Sequence, residues 1–366
     1  MQLEFLPSRT MTAYIGKMFA VRIVAVLMML VIVLMMLDLL GESGKILEYP
    51  GNGQTQLLTY VGLRMPQLIS RFLPYSVLLA TIITLMTLNQ NSEVIAMKAS
   101  GLSAHQVLAP LFLVAGVTAL VTFGFNERVV TRSTATLKAW QAVDYGPLPR
   151  DSEVHSNVWL KDGANIMFAR TATGEGDAMT MTGVSWYQRD PSGMVTRIVS
   201  APAARYANPG WTFDKPESFD VQSAAQTLLP GPVVLAKAVQ PVQVVIRKTD
   251  ADGESLFQLS RSIAAIRDAG YRTSELQGKW WHKLSGPLSA LLMPLLGAVA
   301  GFGLARSGGL FVRAVIGMAL GFAYFVVDNA ALAMGNFGGY PPLLAAWAPL
   351  FLFLLIGEAV LIRTEE

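Results

Sequence analysis

The sequence contains no cysteine, which excludes disulfides and cysteine-based metal sites. Its three histidines, His105, His155 and His282, lack the adjacent-turn spacing of a metal site, so each fits an ordinary interfacial or surface position. Charge is also scarce: 14% of the residues are charged, against roughly 25% in soluble proteins, while 52% are hydrophobic. This composition is typical of a membrane protein.

Motifs of the common enzyme classes are missing as well. The sequence has no G-x-S-x-G, no H-E-x-x-H and no Walker A motif. Gly44-Lys45 does not form a P-loop, because Ile46 stands where Ser or Thr is required. The net charge is +3 without any Lys/Arg-rich block, so nothing indicates a nucleic-acid partner.

Long apolar runs predict six transmembrane helices in a 3+3 arrangement. A helix of about twenty apolar residues crosses the ~30 Å hydrocarbon core. A signal peptide competes for the first run, but no small-residue cleavage site follows it and more runs come later. Residues 41–66 are predicted to be a polar loop. The six runs cover residues 18–40, 72–88, 107–125, 284–304, 310–334 and 343–362.

Between the third and fourth runs the hydropathy falls. The apolar residues there no longer follow the helical period of about 3.6 residues but recur at every second position, as in a β-strand. Asp162-Gly163 between two apolar-rich arms predicts a β-hairpin. Short strands with regular turns indicate an all-β sandwich or open barrel. The domains are therefore predicted as residues 1–126, 127–283 and 284–366. Within the insert we expect helices at 131–143 and 253–268, turns at 190–193 and 208–210, and a strand at 239–247.

The distribution of basic residues predicts the orientation through the positive-inside rule. With a cytoplasmic N-terminus, seven basic residues fall in short inside segments and three in short outside segments. Both termini are then cytoplasmic, and the β-rich insert lies on the other side of the membrane. The inside residues are Arg9, Lys17, Arg22, Lys98, Arg306, Arg313 and Arg363, and the outside residues are Lys45, Arg64 and Arg71.

A short polar break at residues 89–105 separates the second and third runs. Ser92 is predicted to N-cap a short helix, with Glu93 in its first turn and Gly101 at its end. Helical spacing places Ala96, Met97 and Ser100 on the face of Glu93. One interpretation is a helix that docks into a partner; the other is a plain interfacial turn.

Asp328 is the one acidic residue in the middle of the fifth run, where an ionisable group is costly. It either makes a polar contact on a substrate path or to a partner helix, or it forms a structural hydrogen bond to a neighbouring helix, together with Asn329. Glycines in the fourth and fifth runs form small-xxx-small pairs that predict close helix packing, within the chain or with a partner. They are Gly297, Gly301, Gly317 and Gly321.

Several short motifs, in this order and spacing, resemble the LptF/LptG permease family of the lipopolysaccharide exporter, and the fourth-run motif is more like LptG than LptF. The motifs are YIGK at 14–17, SEVIAMKASG at 92–101, WHKLSGPLSALLMPLLG at 281–297, GFAYFVVDN at 321–329 and GYPP at 339–342. The resemblance covers essentially the whole chain.

The resemblance implies an α-helical inner-membrane protein with six transmembrane helices and an inserted periplasmic β-jellyroll domain. It implies an ABC transporter permease that extracts lipopolysaccharide and is not itself an enzyme. The implied partners are LptF as a heterodimer, two copies of the ATPase LptB, LptC, and lipopolysaccharide. ATP and Mg would be bound by LptB, with no cofactor in this chain.

The resemblance also implies site residues. The polar break becomes a helix that couples to the ATPase, and the fifth run lines a lipid cavity. The coupling residues are Glu93, Ala96, Met97, Ser100 and Gly101, and the lipid-binding residues are Lys45, Phe322, Tyr324, Phe325 and Asp328. One departure is that Asp38 and Glu42 stand near the outer end of the first run, where basic residues are expected. A membrane-anchored periplasmic lipid-binding or scaffold protein without a transport cycle is the alternative function, and a lipid-modifying membrane enzyme the third.

Overall fold

A computed structural model describes residues 7–147, 155–174, 176–248, 250–268, 271–302 and 310–365. The chain divides into two compact units. The first comprises Met1–Gly146, Ala251–Ser260 and Thr273–Glu366 and is helical; the second comprises Pro147–Asp250 and Arg261–Arg272 and is built on a β-sheet. Arg306, used in the charge argument above, lies outside the described residues.

Eight helices form most of the helical unit, and a π-helical turn at Asn126–Val130 joins the fourth to the fifth. The first five helices are α1 (Arg9–Glu48), α2 (Gln54–Gln90), α3 (Glu93–Ala99), α4 (Ala104–Phe125) and α5 (Thr131–Ala142). The last three are α8 (Ser274–Phe302), α9 (Leu310–Asn336) and α10 (Pro342–Glu365).

The prediction of a polar loop at residues 41–66 is wrong. Helix α1 continues to Glu48 and α2 already begins at Gln54, so the connection covers only residues 49–53. Ile46 and Tyr60, both inside the predicted loop, are fully buried in a cluster with Leu137 and Trp140 of α5. The polar residues of this stretch therefore lie on helices that extend beyond the apolar runs and bury one face against α5.

Five helical stretches within the described residues are long and apolar enough to cross a membrane. They are Arg9–Glu48, Gln54–Gln90, Ala104–Gln141, Ala314–Asn336 and Pro342–Arg363. Helix α8 occupies the place of the predicted fourth crossing, whose last residues, 303 and 304, lie outside the described part of the chain. A sixth crossing at α8 therefore stays a prediction.

Helix α2 packs closely against α8 and α9 through two of the predicted glycines. A Cβ atom at Gly297 would lie 2.7 Å from Cγ2 and 2.9 Å from Cβ of Thr81, which is fully buried. A Cβ atom at Gly321 would collide with the side chain of Leu78. Gly297 and Gly321 thus serve packing within the chain.

Glu127, in the π-helical turn, connects three segments of the helical unit. Its Oε2 atom accepts a hydrogen bond from the backbone N–H of Leu256 at 2.7 Å, and its Oε1 atom lies 3.8 Å from Nζ of Lys283. The indole N–H of Trp280 donates to the carbonyl of Leu256 at 3.2 Å. The segment that leaves the helical unit and the one that returns to it are therefore held together.

The described residues of the second unit form an antiparallel sheet of eight strands, which confirms the predicted β insert. Asp162 pairs with Asn165 across a turn in which Gly163 has a φ of +61°, so the predicted hairpin is also confirmed. Closure of the sheet into a jellyroll stays a prediction. The strands are β1 (His155–Asp162), β2 (Asn165–Thr173), β3 (Thr180–Arg189), β4 (Val195–Tyr206), β5 (Trp211–Asp214), β6 (Glu217–Asp220), β7 (Gln226–Leu228) and β8 (Val233–Leu235).

The strands pair in the order β1-β2-β3-β4-β5-β8, and β6 pairs with β4 and β7. The predicted strand at residues 239–247 is wrong, because Pro241–Lys248 is a helix, α6. Proline suits the first helical turn, where its missing N–H costs nothing. The carbonyl of Val239 accepts the indole N–H of the buried Trp211 at 2.9 Å. The predicted helix at 253–268 is found as α7 (Leu256–Asp268).

Candidate functional site

The polar break folds into the predicted short helix, α3, but Ser92 does not cap it as expected. Ser92 adopts a left-handed conformation with a φ of 60°, and its side chain makes no capping hydrogen bond to the described residues. The reason is the short connection: only Asn91 and Ser92 separate α2 from α3, and the chain reverses there. The serine supplies the turn and not the cap.

Gly101 ends α3 as predicted. Its φ is +89°, a conformation that favours glycine. The N–H of Gly101 bonds to the carbonyl of Lys98 at 3.0 Å, and the N–H of Leu102 bonds to that of Met97 at 3.2 Å, which together form a Schellman motif. Helix α4 begins immediately afterwards. The break is therefore a short helix of about two turns between α2 and α4.

The predicted coupling face divides between the surface and the core. Glu93 is half-buried, and Ala96, Ser100 and Gly101 are exposed. Met97 is only 7% exposed and packs, with Val94, in the main core of the helical unit. Ile95, which the sequence analysis does not single out, is 54% exposed on the same short helix. Its apolar character at a surface position of a polar segment is the signal that was available.

Two side chains hold the carboxylate of Glu93. The hydroxyl of Tyr14, at the start of α1, donates to Oε1 at 3.4 Å. The side-chain amide of Asn91 donates to the same oxygen at 3.2 Å. Tyr14 was part of a recognised motif but was not predicted to belong to the site. The contact brings together residues that are 79 positions apart in the chain.

The predicted lipid-binding residues of α9 are placed on different sides of the helix. Phe322 is 64% exposed, whereas Tyr324 is buried in the core. Phe325 stacks on Tyr75 of α2, with ring centroids 3.8 Å apart. Asp328 is 6% exposed and faces α8. The structure therefore places exposed and core-facing residues on the same helix.

Asp328 contacts a neighbouring helix. Its Oδ2 atom lies 3.8 Å from Nε2 of His282 on α8, and Nδ1 of His282 lies 3.4 Å from Oγ of Ser285. Asn329 does not share this contact, because its amide donates to the carbonyl of Phe325 on its own helix at 2.7 Å. Asp328 therefore makes a polar contact with a neighbouring helix at 3.8 Å, and its role on a substrate path or in the structure stays a prediction.

The unexpected acidic residue Asp38 is neutralised within the chain. Arg64 of α2 donates to both of its carboxylate oxygens, from Nη2 at 2.9 Å and from Nε at 3.0 Å. The hydroxyl of the buried Tyr60 donates to Oδ2 at 2.6 Å. Such a bidentate pair is stronger than a single ion contact. Asp38 thus joins α1 to α2.

Glu42, one turn further on, faces a surface cleft of about 690 Å³. It accepts a hydrogen bond from the hydroxyl of Tyr145 at 2.7 Å and pairs with Lys45 at 3.0 Å. Burial, and then the bond to Glu42, raises the pKa of Tyr145 to about 12, so the hydroxyl stays protonated and donates at neutral pH. The cleft is lined by Glu42, Lys45, Glu48, Tyr49, Pro50, Gln141, Asp144 and Tyr145.

A sequence profile of the family described as lipopolysaccharide export system permease LptF/LptG matches residues 13–363. The chain belongs to this family. The lipopolysaccharide export system permease protein LptG of Escherichia coli is 25% identical over an alignment of 367 residues that covers 98% of this chain and 99% of that protein. The LptG protein of Haemophilus influenzae is 24% identical over 372 residues, with the same coverage.

Membership of the LptF/LptG family, together with several candidate spans, identifies an inner-membrane protein. The motifs that carry the resemblance also meet in the structure. Tyr14 of the first motif contacts Glu93 of the second, and His282 of the third contacts Asp328 of the fourth. These two contacts are the candidate sites that the family motifs build.

Proposed function

We propose that this chain is the permease subunit of an ABC transporter that extracts lipopolysaccharide from the inner membrane and passes it to a periplasmic bridge. The observation that carries the proposal is the family match over residues 13–363, together with a short helix that presents a carboxylate between two long apolar helices. The relatives are named as permeases of a lipopolysaccharide export system, which supports the substrate.

The proposed partners are LptF as the second half of a heterodimer, two copies of the LptB ATPase, and LptC. ATP and Mg bind to LptB. In the most apolar stretch of α1, only 17% of the residues are buried within this chain. A long apolar face is therefore left for other helices and for lipid. Residues such as Val24, Met28 and Ile32 are each more than half exposed on this helix.

The proposed orientation places both termini and α3 in the cytoplasm and the β-sheet unit in the periplasm, with α8 as the sixth crossing. The bias of basic residues supports it. Glu93 then faces the ATPase, where it accepts a cationic side chain, and Ala96, Ser100 and Gly101 line the docking surface. Met97 anchors α3 to the core, so that a force applied to α3 reaches α2 and α4.

Lipid is proposed to contact Lys45 at the outer end of α1 and Phe322 on α9, both of which are exposed. Tyr324, Phe325 and Asp328 now pack inside the chain. They become available to lipid when α9 separates from α2 and α8. The proposal therefore links lipid binding by this helix to its movement.

The test is charge reversal at the docking helix. Glu93→Lys is expected to remove LptB from the purified membrane complex, because a cation at this position repels the cationic partner. Glu48→Lys is the matched control, since it makes the same change at the far end of α1. LptB retained at the wild-type level with Glu93→Lys would contradict the proposal. A wild-type complex that contains no ATPase at all would favour the scaffold function.

A further inference from the structure

We infer that Tyr14 is a positioning residue for Glu93: its hydroxyl fixes one carboxylate oxygen, so that the other is presented to a cationic side chain of the ATPase. The docking element is therefore built from two helices, α1 and α3. The inference rests on the proposed function and names a residue that α3 alone does not supply.

The geometry of the carboxylate supports this role. Tyr14 and Asn91 both donate to Oε1, at 3.4 Å and 3.2 Å. Among the described residues, the hydrogen bonds to this side chain all end on Oε1. An ionised carboxylate has two acceptor oxygens, and cationic donors make short, strong bonds to them. Oε2 is the oxygen left for an incoming arginine or lysine.

Asn91 lies only two residues from Glu93, in the turn that joins α2 to α3, so its hydrogen bond ties Glu93 only to its own turn. Tyr14 comes from a different helix. The residues that follow it, Ile15 and Phe19, are fully buried in the main core of the helical unit. The backbone that carries Tyr14 is thus anchored in the core, and its hydroxyl reaches Glu93 from a second helix.

Packing does not explain a tyrosine here, since its side chain is 52% exposed. The competing explanation is an aromatic residue at the membrane interface, where tyrosine and tryptophan are both favoured. The two roles differ in what they require of the side chain. An interfacial anchor needs an amphipathic ring, which tryptophan also provides, whereas positioning needs a hydroxyl at this distance from Glu93.

The experiment is a double-mutant cycle on the full membrane complex, with the affinity for LptB as the readout. The variants are Tyr14→Phe, Glu93→Ala and their combination, and Tyr14→Trp is measured alongside. Tyr271→Phe is the matched control, because its hydroxyl is also hydrogen-bonded, to Gln243 at 2.9 Å, but it lies in the β-sheet unit.

The expected result is that Tyr14→Phe weakens LptB binding about threefold to tenfold, the effect of one hydrogen bond. In the Glu93→Ala background the same change has no further effect. Tyr14→Trp binds LptB as weakly as Tyr14→Phe does, and Tyr271→Phe binds LptB with the wild-type affinity.

Three results would overturn the inference while the proposed function stands: wild-type binding by Tyr14→Phe, an equal loss in both backgrounds, or full binding by Tyr14→Trp. The second would show that Tyr14 acts independently of Glu93, and the third that it is an interfacial anchor. Wild-type binding by Glu93→Ala would instead overturn the role of α3 in docking, and the inference with it.

Discussion

His282 of α8 and Asp328 of α9 form a contact inside the helical unit, with Nε2 and Oδ2 3.8 Å apart. Asp328 is almost completely buried, while the side chain of His282 is one-third exposed. Burying a carboxylate without a partner is costly, so this contact contributes to the association of α8 with α9. The two residues belong to separate family motifs, and the contact accounts for both.

Replacing the histidine is expected to destabilise the protein more than replacing the aspartate. His282→Ala leaves the buried carboxyl group of Asp328 without its partner and should cost about 1–3 kcal/mol, whereas Asp328→Asn removes the charge itself. Thermal unfolding of the purified protein in detergent measures both. Asn329→Ala is the control, because that amide bonds only within α9. Equal stability of His282→Ala and Asn329→Ala would show that the contact contributes nothing.

The approach of α8 to α2 predicts that a side chain at Gly297 is not tolerated. Gly297→Leu forces Thr81 and its helix to move, because the nearest atoms include Cβ of Thr81 and not only the end of a flexible side chain. Overpacking of this kind costs about 1–3 kcal/mol. At Gly124 no described heavy atom lies within 4 Å of a new Cβ atom, so Gly124→Leu is the matched control. In thermal melting, Gly297→Leu should unfold at a lower temperature than Gly124→Leu. Similar melting temperatures would refute the close approach of α8 to α2.

Asp38 is expected to stabilise the association of α1 with α2 through Arg64. Arg64→Lys keeps the charge but loses the two parallel hydrogen bonds, so it should cost about 1 kcal/mol. Arg71→Lys, a matched change further along α2, is expected to have little effect. Chemical denaturation of the two variants provides the comparison. A loss at position 71 as large as that at position 64 would contradict the role of Asp38.

The turn between β6 and β7 predicts a pH dependence. Hydrogen bonds from the backbone N–H and the hydroxyl of Ser223 lower the pKa of Asp220. A lowered pKa means that the folded turn favours the ionised carboxyl group, so its stabilisation is present above the unfolded pKa of about 4 and is lost as the pH falls through the folded value.

Hydrogen exchange of the Ser223 amide, corrected for the intrinsic rate, is the measurement for this turn. Its protection should fall on acidification in the wild type and should be low and nearly independent of pH in Asp220→Ala. Asp214→Ala serves as the control, since that residue lies in the neighbouring strand β5. Protection that does not change as the pH falls from 6 to about 2, well below the ordinary carboxyl pKa of about 4, would rule out the carboxylate as the acceptor.

Local chemistry allowed parts of this structure to be predicted. Gly101 ends α3 because few other residues adopt its left-handed conformation. The Asp162-Gly163 pair likewise determines its hairpin from two adjacent residues. Ser92 was assigned wrongly because the same residue type serves in caps and in turns, and the choice depends on how closely α2 precedes α3.

Long-range contacts account for what the sequence did not reveal. The hydropathy of residues 41–66 fell because their helices have a polar face, and the face buried against α5 became visible only when Leu137 and Trp140 were placed. Helical spacing places Met97 on the same face as Glu93, yet in the structure Met97 is buried in the core against α2 and α4. The role of Tyr14 depends on a contact across 79 positions, which no local pattern encodes.

The ties made by Glu127 have a consequence for how the chain can be rearranged. Because Leu256 and Lys283 are both bound by Glu127, the chain returns to the helical unit at a place that the π-helical turn determines, independently of the sheet. A version without the sheet would have to omit residues 261–272 together with 147–250, because both segments belong to the same compact unit, and its helices should then still insert and fold.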